Sequence, residues 1–577
     1  MISPPTPSGT RPAESALSAF AREGISPPSA LRLIGRLVGE AGGTGMDTSA
    51  GVLFNHSVWA RDRIISALDV LQERPEVARQ TILTLARLQG TRRRTRSEEE
   101  PGRIHNELRD LHDWRAPLHL KALFGLVLAP LWGGSPRGYV SYFGADGTPL
   151  FILLVDEYAK LRPAVLDEAV ARDHGGPVTV AGAVREAARW IESHLSPDGL
   201  VEVPKHNVLS LPPQTWKDSP TSNFDERGRM LNVVEPIAYL PIQALCADAL
   251  EAAAGLVRHS VALPAGGPVS EQTIHDLAWS ELLEDEARTL RRRTQRAFWM
   301  EDAAYYAFAL DRDGDGRRRV VRAIQSDPGW LLTTKFFDEL PAAERERSIA
   351  GIVRTLFSPD VLTSAGVRGR SLRHADARFR NYHEHVWPMD TFMIARGLRR
   401  QGLGGLADEL ETRTVNAVNL LGDPWEFIAV DDDGAIVHPR LDADEAARLS
   451  PPAHGLPSEM APEADIAWSA TALLRIKRDR AARWSAGGLD GDGAQTWQRE
   501  LTHEVLAGLR PAPVCRSVAE LAAAAAPLSP LFLDQPTGMR RAMRVVILDG
   551  FAGVIPRSMF HQARRRLRAG LGRGRAA

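Results

Sequence analysis

Through most of the chain, apolar residues recur at three- and four-residue spacing, the period of helices with one buried face. This pattern predicts helices at Leu31–Leu37, Val58–Glu73, Glu76–Gln89, Pro149–Leu161, Val180–His194, Glu235–Leu256 and Thr273–Phe298. More follow at Ala342–Phe357, Trp387–Gln401, Gly405–Leu421, Asp465–Arg478 and Thr496–Leu509. Pro75 marks the restart of a helix after the first long one, since proline is tolerated at the first helical position. Alternation is rare. Tyr305–Leu310 and Glu426–Val430 read as short strands or hairpin arms. The expected fold class is therefore all-α, with helices arranged in a ring, a pocket at one end, long loops and a few short β-hairpins. No fixed-period repeat is visible, which argues against a regular solenoid.

Composition narrows the class of partner. The chain has 577 residues, 44% hydrophobic and 25% charged, with a formal net charge of -1. A near-neutral chain is not built to neutralise phosphates, so nucleic acid is not an expected partner. No apolar run suggests a membrane span. The first residues lack the charged start and apolar core of a signal peptide. The two cysteines, Cys246 and Cys515, make no framework and no zinc pattern. The expectation is a soluble, cytoplasmic protein with reduced thiols, no metal and no cofactor. Residues 1–14 are rich in Pro, Ser and Thr and are expected to be disordered.

Two motifs invite over-reading. DRDGDG, from Asp311, copies half of a calcium loop, but Arg322 stands where the bidentate glutamate belongs, so a hairpin turn is expected. RRRTR, Arg92–Arg96, is followed directly by SEEEP, a mixture typical of a solvated loop.

The chemistry lies in the loops. QTWKDSPTSN, Gln214–Asn223, sets Trp216, Lys217 and Asp218 side by side, between prolines that forbid a helix. Related loops are NHSVWARDR from Asn55, EEEPGRIHNELR from Glu98, SYFGADGTP from Ser141, NYHEHVWPMD from Asn381 and PWEFIAVD from Pro424. Each joins aromatic rings to Arg, Asp or Glu at a helix edge. Sugars need both, rings for their C–H faces and bidentate polar groups for their hydroxyls. Carbohydrate is the expected partner. Oligomeric state is not legible.

In order along the chain, these segments resemble the catalytic domain of the amylo-alpha-1,6-glucosidase (glycogen debranching enzyme) family, within the (α/α)6-barrel glycoside hydrolases that include glucoamylases. WARDRIISALDVL, EEPGRIHNELR, YFGADGTPLFILLVDEY, TWKDS, SDPGWLL, YHEHVWPMD, PWEF and IAWSATALL each resemble a family segment, and together they span about Leu53 to Leu474. The resemblance implies a toroidal barrel over residues 15–510 and a C-terminal extension over 511–577. It implies an inverting hydrolase with two carboxyl groups roughly 6.5–9.5 Å apart. Asp218 matches the general acid and Glu426 the general base, with Glu384 as rival base. Arg61 and Asp62 match residues that grip sugar hydroxyls. Trp59, Tyr142, Asp146, Trp216, Lys217, His383, Glu384 and Trp387 are further pocket candidates. Lys217 is expected to turn away from Asp218, because a cation there would favour the ionised form. Departures from the family pattern, Trp330 and Met389 for histidines and Glu384–His385 for Gly-Ser, leave a small α-glycoside of trehalose or glycosyl-glycerate type as an alternative substrate. An inactive carbohydrate-binding barrel is the alternative from another class.

Overall fold

The computed structural model describes residues 27–49, 54–116, 118–207, 209–210, 215–218, 222–229, 231–233, 235–260, 270–313, 315–374, 382–421, 424–437, 465–485, 494–509 and 515–516. The expectations for 1–14, and nearly all of 511–577, lie outside these residues.

The described residues form 14 α-helices and five small sheets. The expected helices are present, with shifted ends. Val58 and Trp59 belong to a strand rather than to the following helix, which runs Ala60–Asp69. The DRDGDG segment is a hairpin turn, joining the antiparallel strands Ala309–Arg312 and Arg318–Val321. Of the Glu426–Val430 arm, only isolated bridges at Ile428 and Val430 form.

Contacts between elements follow a closed path. Ala60–Asp69 packs on Gly147–Leu161, which packs on Leu240–Ser260. That helix meets the 3-10 helix Asp327–Thr333, which meets Pro388–Arg400, then Ala467–Ser485, which returns to Ala60–Asp69. A second helix backs most members: Pro75–Arg87, Val180–Glu192, Glu271–Phe298, Ala342–Leu356 and Gly404–Leu421. One apolar cluster runs through these packed helices, with small residues such as Ala183, Ala187, Ala247 and Ala253 permitting close approach. Leu240–Ser260 is the one helix among the described residues long and apolar enough to cross a membrane, and most of it is buried in this core.

The path is tied where its ends meet. Asp69 accepts hydrogen bonds from Arg396 at 3.0 Å and Arg475 at 3.1 Å, linking the first, fifth and last members. At the other end a three-stranded sheet stands against the helix starts. Strand β1 (Ser57–Trp59) pairs with β2 (Glu107–Asp110), and β2 with β3 (Gly138–Ser141), all antiparallel. β1 leads directly into Ala60–Asp69, and β3 precedes Gly147–Leu161 by a few residues.

Candidate active site

The members of the closed path start at the same end, and most carry a polar or aromatic side chain there. Arg61 and Asp62 occupy the first turn of Ala60–Asp69, and Asp146 immediately precedes Gly147–Leu161. Asp327 and Asp390 sit in the first turns of Asp327–Thr333 and Pro388–Arg400, and Trp468 in that of Ala467–Ser485. Helix N-termini present unsatisfied N–H groups and a positive dipole end, so carboxylates are favoured there.

Asp218 lies among these starts. Arg61 donates to Asp146 at 2.9 Å and to Asp218 at 3.4 Å, and its Nε lies 3.5 Å from Asp62. One guanidinium thus serves three carboxylates, a task suited to its planar fork. Three carboxylates exceed one cation, so the cluster favours retained protons. Burial pushes Asp62 up to about 7, with Asp218 and Asp146 adding to the rise and Arg61 opposing it. Burial likewise pushes Asp218 up to about 6 against the pull of Arg61, with Asp146 assisting. Burial weakens Arg61, but Asp146, Asp62 and Asp218 together hold its charge more firmly than usual. Solvent access separates the acids: the Asp218 side chain is 24% exposed, that of Asp146 4% and of Asp62 5%.

Lys217 turns away from Asp218, as expected from the sequence. Its ammonium forms an ion pair with Asp327 and donates to Gln325 Oε1 at 2.8 Å and the Gly369 carbonyl at 2.7 Å. It also lies 4.8 Å from the centroid of the Trp216 ring. Trp216 stacks on Trp330 at 6.1 Å and meets Trp387 edge-on at 5.7 Å. Trp330 donates its indole N–H to Asp390 at 2.6 Å. Burial pushes Asp390 up to about 6, against Lys217 and Ser326. The W-K-D loop is therefore clamped from below: Lys217 and Trp216 are fixed, and Asp218 is left facing the more open side.

His383 forms the adjoining wall. It lies flat on Trp387 at 4.9 Å, shares a 2.7 Å hydrogen bond with Ser222 through Nδ1, and places Nε2 4.0 Å from Asp218. Burial, with Lys217 and Arg61 nearby, drives its pKa well below the usual value, so the ring is neutral near neutral pH. Trp387 packs on Phe427 at 5.6 Å, which stacks on His385 at 5.9 Å. This contact brings the backbone around Glu426 to the same aromatic wall. Glu426 itself is half-buried. Glu384, the rival base, lies 3.4 Å from Arg370.

Trp59 and Tyr142 are buried and hydrogen-bonded within the protein. Trp59 donates to Ser57 Oγ at 2.8 Å and packs edge-on against Phe54. The Tyr142 hydroxyl donates to the Leu88 carbonyl at 2.7 Å. Glu107 and Arg109 form an internal ion pair, and the Arg109 guanidinium lies 4.4 Å from the centroid of the Trp114 ring. Sequence reasoning did not select Asp327 or Asp390 as site residues. The signal was available, an aspartate in the first turn of a helix within SDPGWLL and within VWPMD. Among the described residues, no group of His, Cys, Asp and Glu is arranged to hold a metal ion.

Gly369 sets the spacing between the Lys217 anchor and the His383 wall. A Cβ there would fall 1.9 Å from the His383 carbonyl oxygen and 3.6 Å from Lys217 Cε. Gly369→Ala is expected to destabilise the fold by about 1–3 kcal/mol through overpacking. Chemical denaturation measures that loss, and an unchanged midpoint would show that the two segments can separate freely.

No family model matches the chain, and no curated protein matches it. Solved structures similar to it include a GH63 mannosylglycerate hydrolase from Thermus thermophilus in complex with glucose, at 15% identity and a TM-score of 0.46, covering 78% of this chain and 99% of that one. An uncharacterized conserved protein from the same organism matches at 14% identity and a TM-score of 0.47, with coverage of 78% and 99%. A glycosidase matches at 12% identity and a TM-score of 0.46, with coverage of 81% and 97%. Likenesses this loose leave the reading to the site's own geometry.

Proposed function

We propose that the chain is a glycoside hydrolase of the (α/α)6-barrel type, with Asp218 as the general acid. One observation carries this reading. Among the clustered carboxylates at the helix starts, Asp218 alone combines substantial solvent access with a surrounding that keeps it protonated up to about pH 6. A general acid needs both, a proton to give and a route for the glycosidic oxygen to reach it. Arg61, Asp62 and Asp146 supply the fixed polar edge expected of a terminal sugar site. Trp387 and His383 supply an aromatic wall.

The mechanism is inversion. Asp218 protonates the leaving oxygen while a carboxylate across the sugar takes a proton from the attacking water. Glu426 is assigned as that base from the match of PWEF to the family segment, and the Phe427–Trp387–His383 ring contacts, which join its segment to the aromatic wall, support the assignment. The substrate reading is an α-glucoside that loses a terminal glucose-like unit, as in the debranching reaction. A small α-glycoside of trehalose or glycosyl-glycerate type is the competing substrate.

The test is a panel of α-glucans and small α-glycosides, with the freed sugar and its anomer read by NMR. Release of the β-anomer from an α-glycoside supports the proposal. Retention of configuration would overturn the mechanism, and no release from any substrate would favour a binding protein. Glu426→Gln is expected to reduce turnover by about 10²–10⁴-fold, with Glu384→Gln far milder. The reverse order would move the base to Glu384.

A further inference from the structure

The connection between β2 and β3 is an insertion built on helical residues Leu118–Leu131, with one π turn at Phe124–Leu128. Its inner side makes a small core of its own from Leu128, Ala129 and Trp132 against Tyr139 and Phe143. Its outer side is apolar as well. Leu118 is 82% exposed, Leu126 70% and Val127 45%. Leu118, exposed Ala122 and Leu126 fall four residues apart, on one face of the run. A surface helix ordinarily turns polar residues outward, and an apolar outer face marks a contact site.

Charge identifies the contact. The loop carrying exposed Arg93, Arg94 and Arg96 is fastened to the C-terminal end of this run. Asn207 Nδ2 donates to both the Arg96 carbonyl, at 2.7 Å, and the Leu131 carbonyl, at 3.2 Å. A Cβ on Gly133 would touch Arg96 Cβ at 3.2 Å. Exposed Arg115 and Arg137 stand at the base of the same insertion, opposed there by exposed Asp110 and Asp113. Arg94 is partly neutralised by Glu99 at 3.8 Å, and Arg92 by the same carboxylate at 3.3 Å. Excess cations beside an exposed apolar helix face are the complement of an anionic lipid surface. A second copy of the chain fits less well, because a two-fold contact would bring the same excess of cations to both sides of the interface.

We infer that the insertion at Leu118–Leu131, with the Arg93–Arg96 loop, docks the protein on anionic membrane surfaces. The connection springs from β2 and β3, whose sheet stands at the helix-start end of the molecule. Trp132 donates its indole N–H to the Leu209 carbonyl. The docking does not depend on the hydrolase reading.

The test is co-sedimentation of the full chain with vesicles of phosphatidylcholine alone, and of phosphatidylcholine mixed with phosphatidylglycerol. Binding is expected to the mixed vesicles only, and to weaken with salt. Each arginine near an anionic surface contributes about fivefold in partitioning. Arg93→Ala with Arg96→Ala should therefore weaken binding roughly 25-fold. Leu126→Asp with Val127→Asp should abolish it. Both double variants should keep the circular dichroism and thermal midpoint of the parent, which separates lost docking from lost folding. Absence of binding to mixed vesicles, or binding that survives Leu126→Asp with Val127→Asp, overturns the inference. So does a dimer in light scattering that the same variant disperses, which would show a second copy covering the face.

Discussion

Asp218→Asn is expected to lower turnover of a natural glycoside by roughly 10²–10⁴-fold, the usual contribution of a general acid. An amide cannot deliver the proton, yet it fills the same space and still accepts from Arg61. The defect should shrink on a substrate with an activated leaving group, such as an aryl or fluoride glycoside, whose departure needs no protonation. That contrast distinguishes a lost acid from a disturbed fold. The pH profile supplies a second check. The acid must be protonated, and Asp218 is pushed up to about 6 by burial. Activity should therefore fall as pH rises through that value. Equal loss on both substrate types would remove Asp218 from the acid role.

Arg61→Met is expected to cost the fold about 3–5 kcal/mol, because it strands buried carboxylates that had shared one cation. Asp62, Asp146 and Asp218 would face one another with only protons to relieve them. The sign with pH follows from the raised carboxyls. Asp62, already at about 7, and Asp218, at about 6, bind protons more tightly when folded than the ordinary value of 3.8. Stability from such groups is full below the unfolded pKa and is lost as pH rises through the folded one. Removing Arg61 raises both further, so the deficit should be largest at neutral pH and should narrow toward pH 4. Denaturation curves at the two pH values measure it. A deficit independent of pH would mean that Arg61 matters for packing alone.

Much of the helical frame was legible because burial of one helix face imposes a period that survives without neighbours. The pairing of rings with charged groups at loop edges was legible as well, since it lies in the residue types themselves. The direction of Lys217 was also expected: beside Asp218 a cation would favour the ionised carboxyl, and the side chain turns to Asp327. Boundaries were less legible. Val58 and Trp59 satisfy a helical period, but pairing with Leu108 and Glu107 draws them into a strand. Backbone partners far along the chain decided that, and periodicity carries no information about them.

The same division holds at the site. The sequence by itself determined that Asp218 would lie in a non-helical loop beside Trp216 and Lys217, since Pro213 and Pro220 forbid the helix. It also determined which loops combine rings with charged groups. Only the tertiary structure decided which of those loops meet. It joined Arg61 to Asp146 and Asp218, residues 85 and 157 positions away. It also bonded Trp59 to Ser57 and Tyr142 to Leu88, and brought Asp327 and Asp390 against the Asp218 loop through Lys217 and Trp330. Such contacts depend on the order in which helices pack and on which ends face together. No local pattern encodes that order, because every helix start offers much the same N–H groups and the same attraction for a carboxylate.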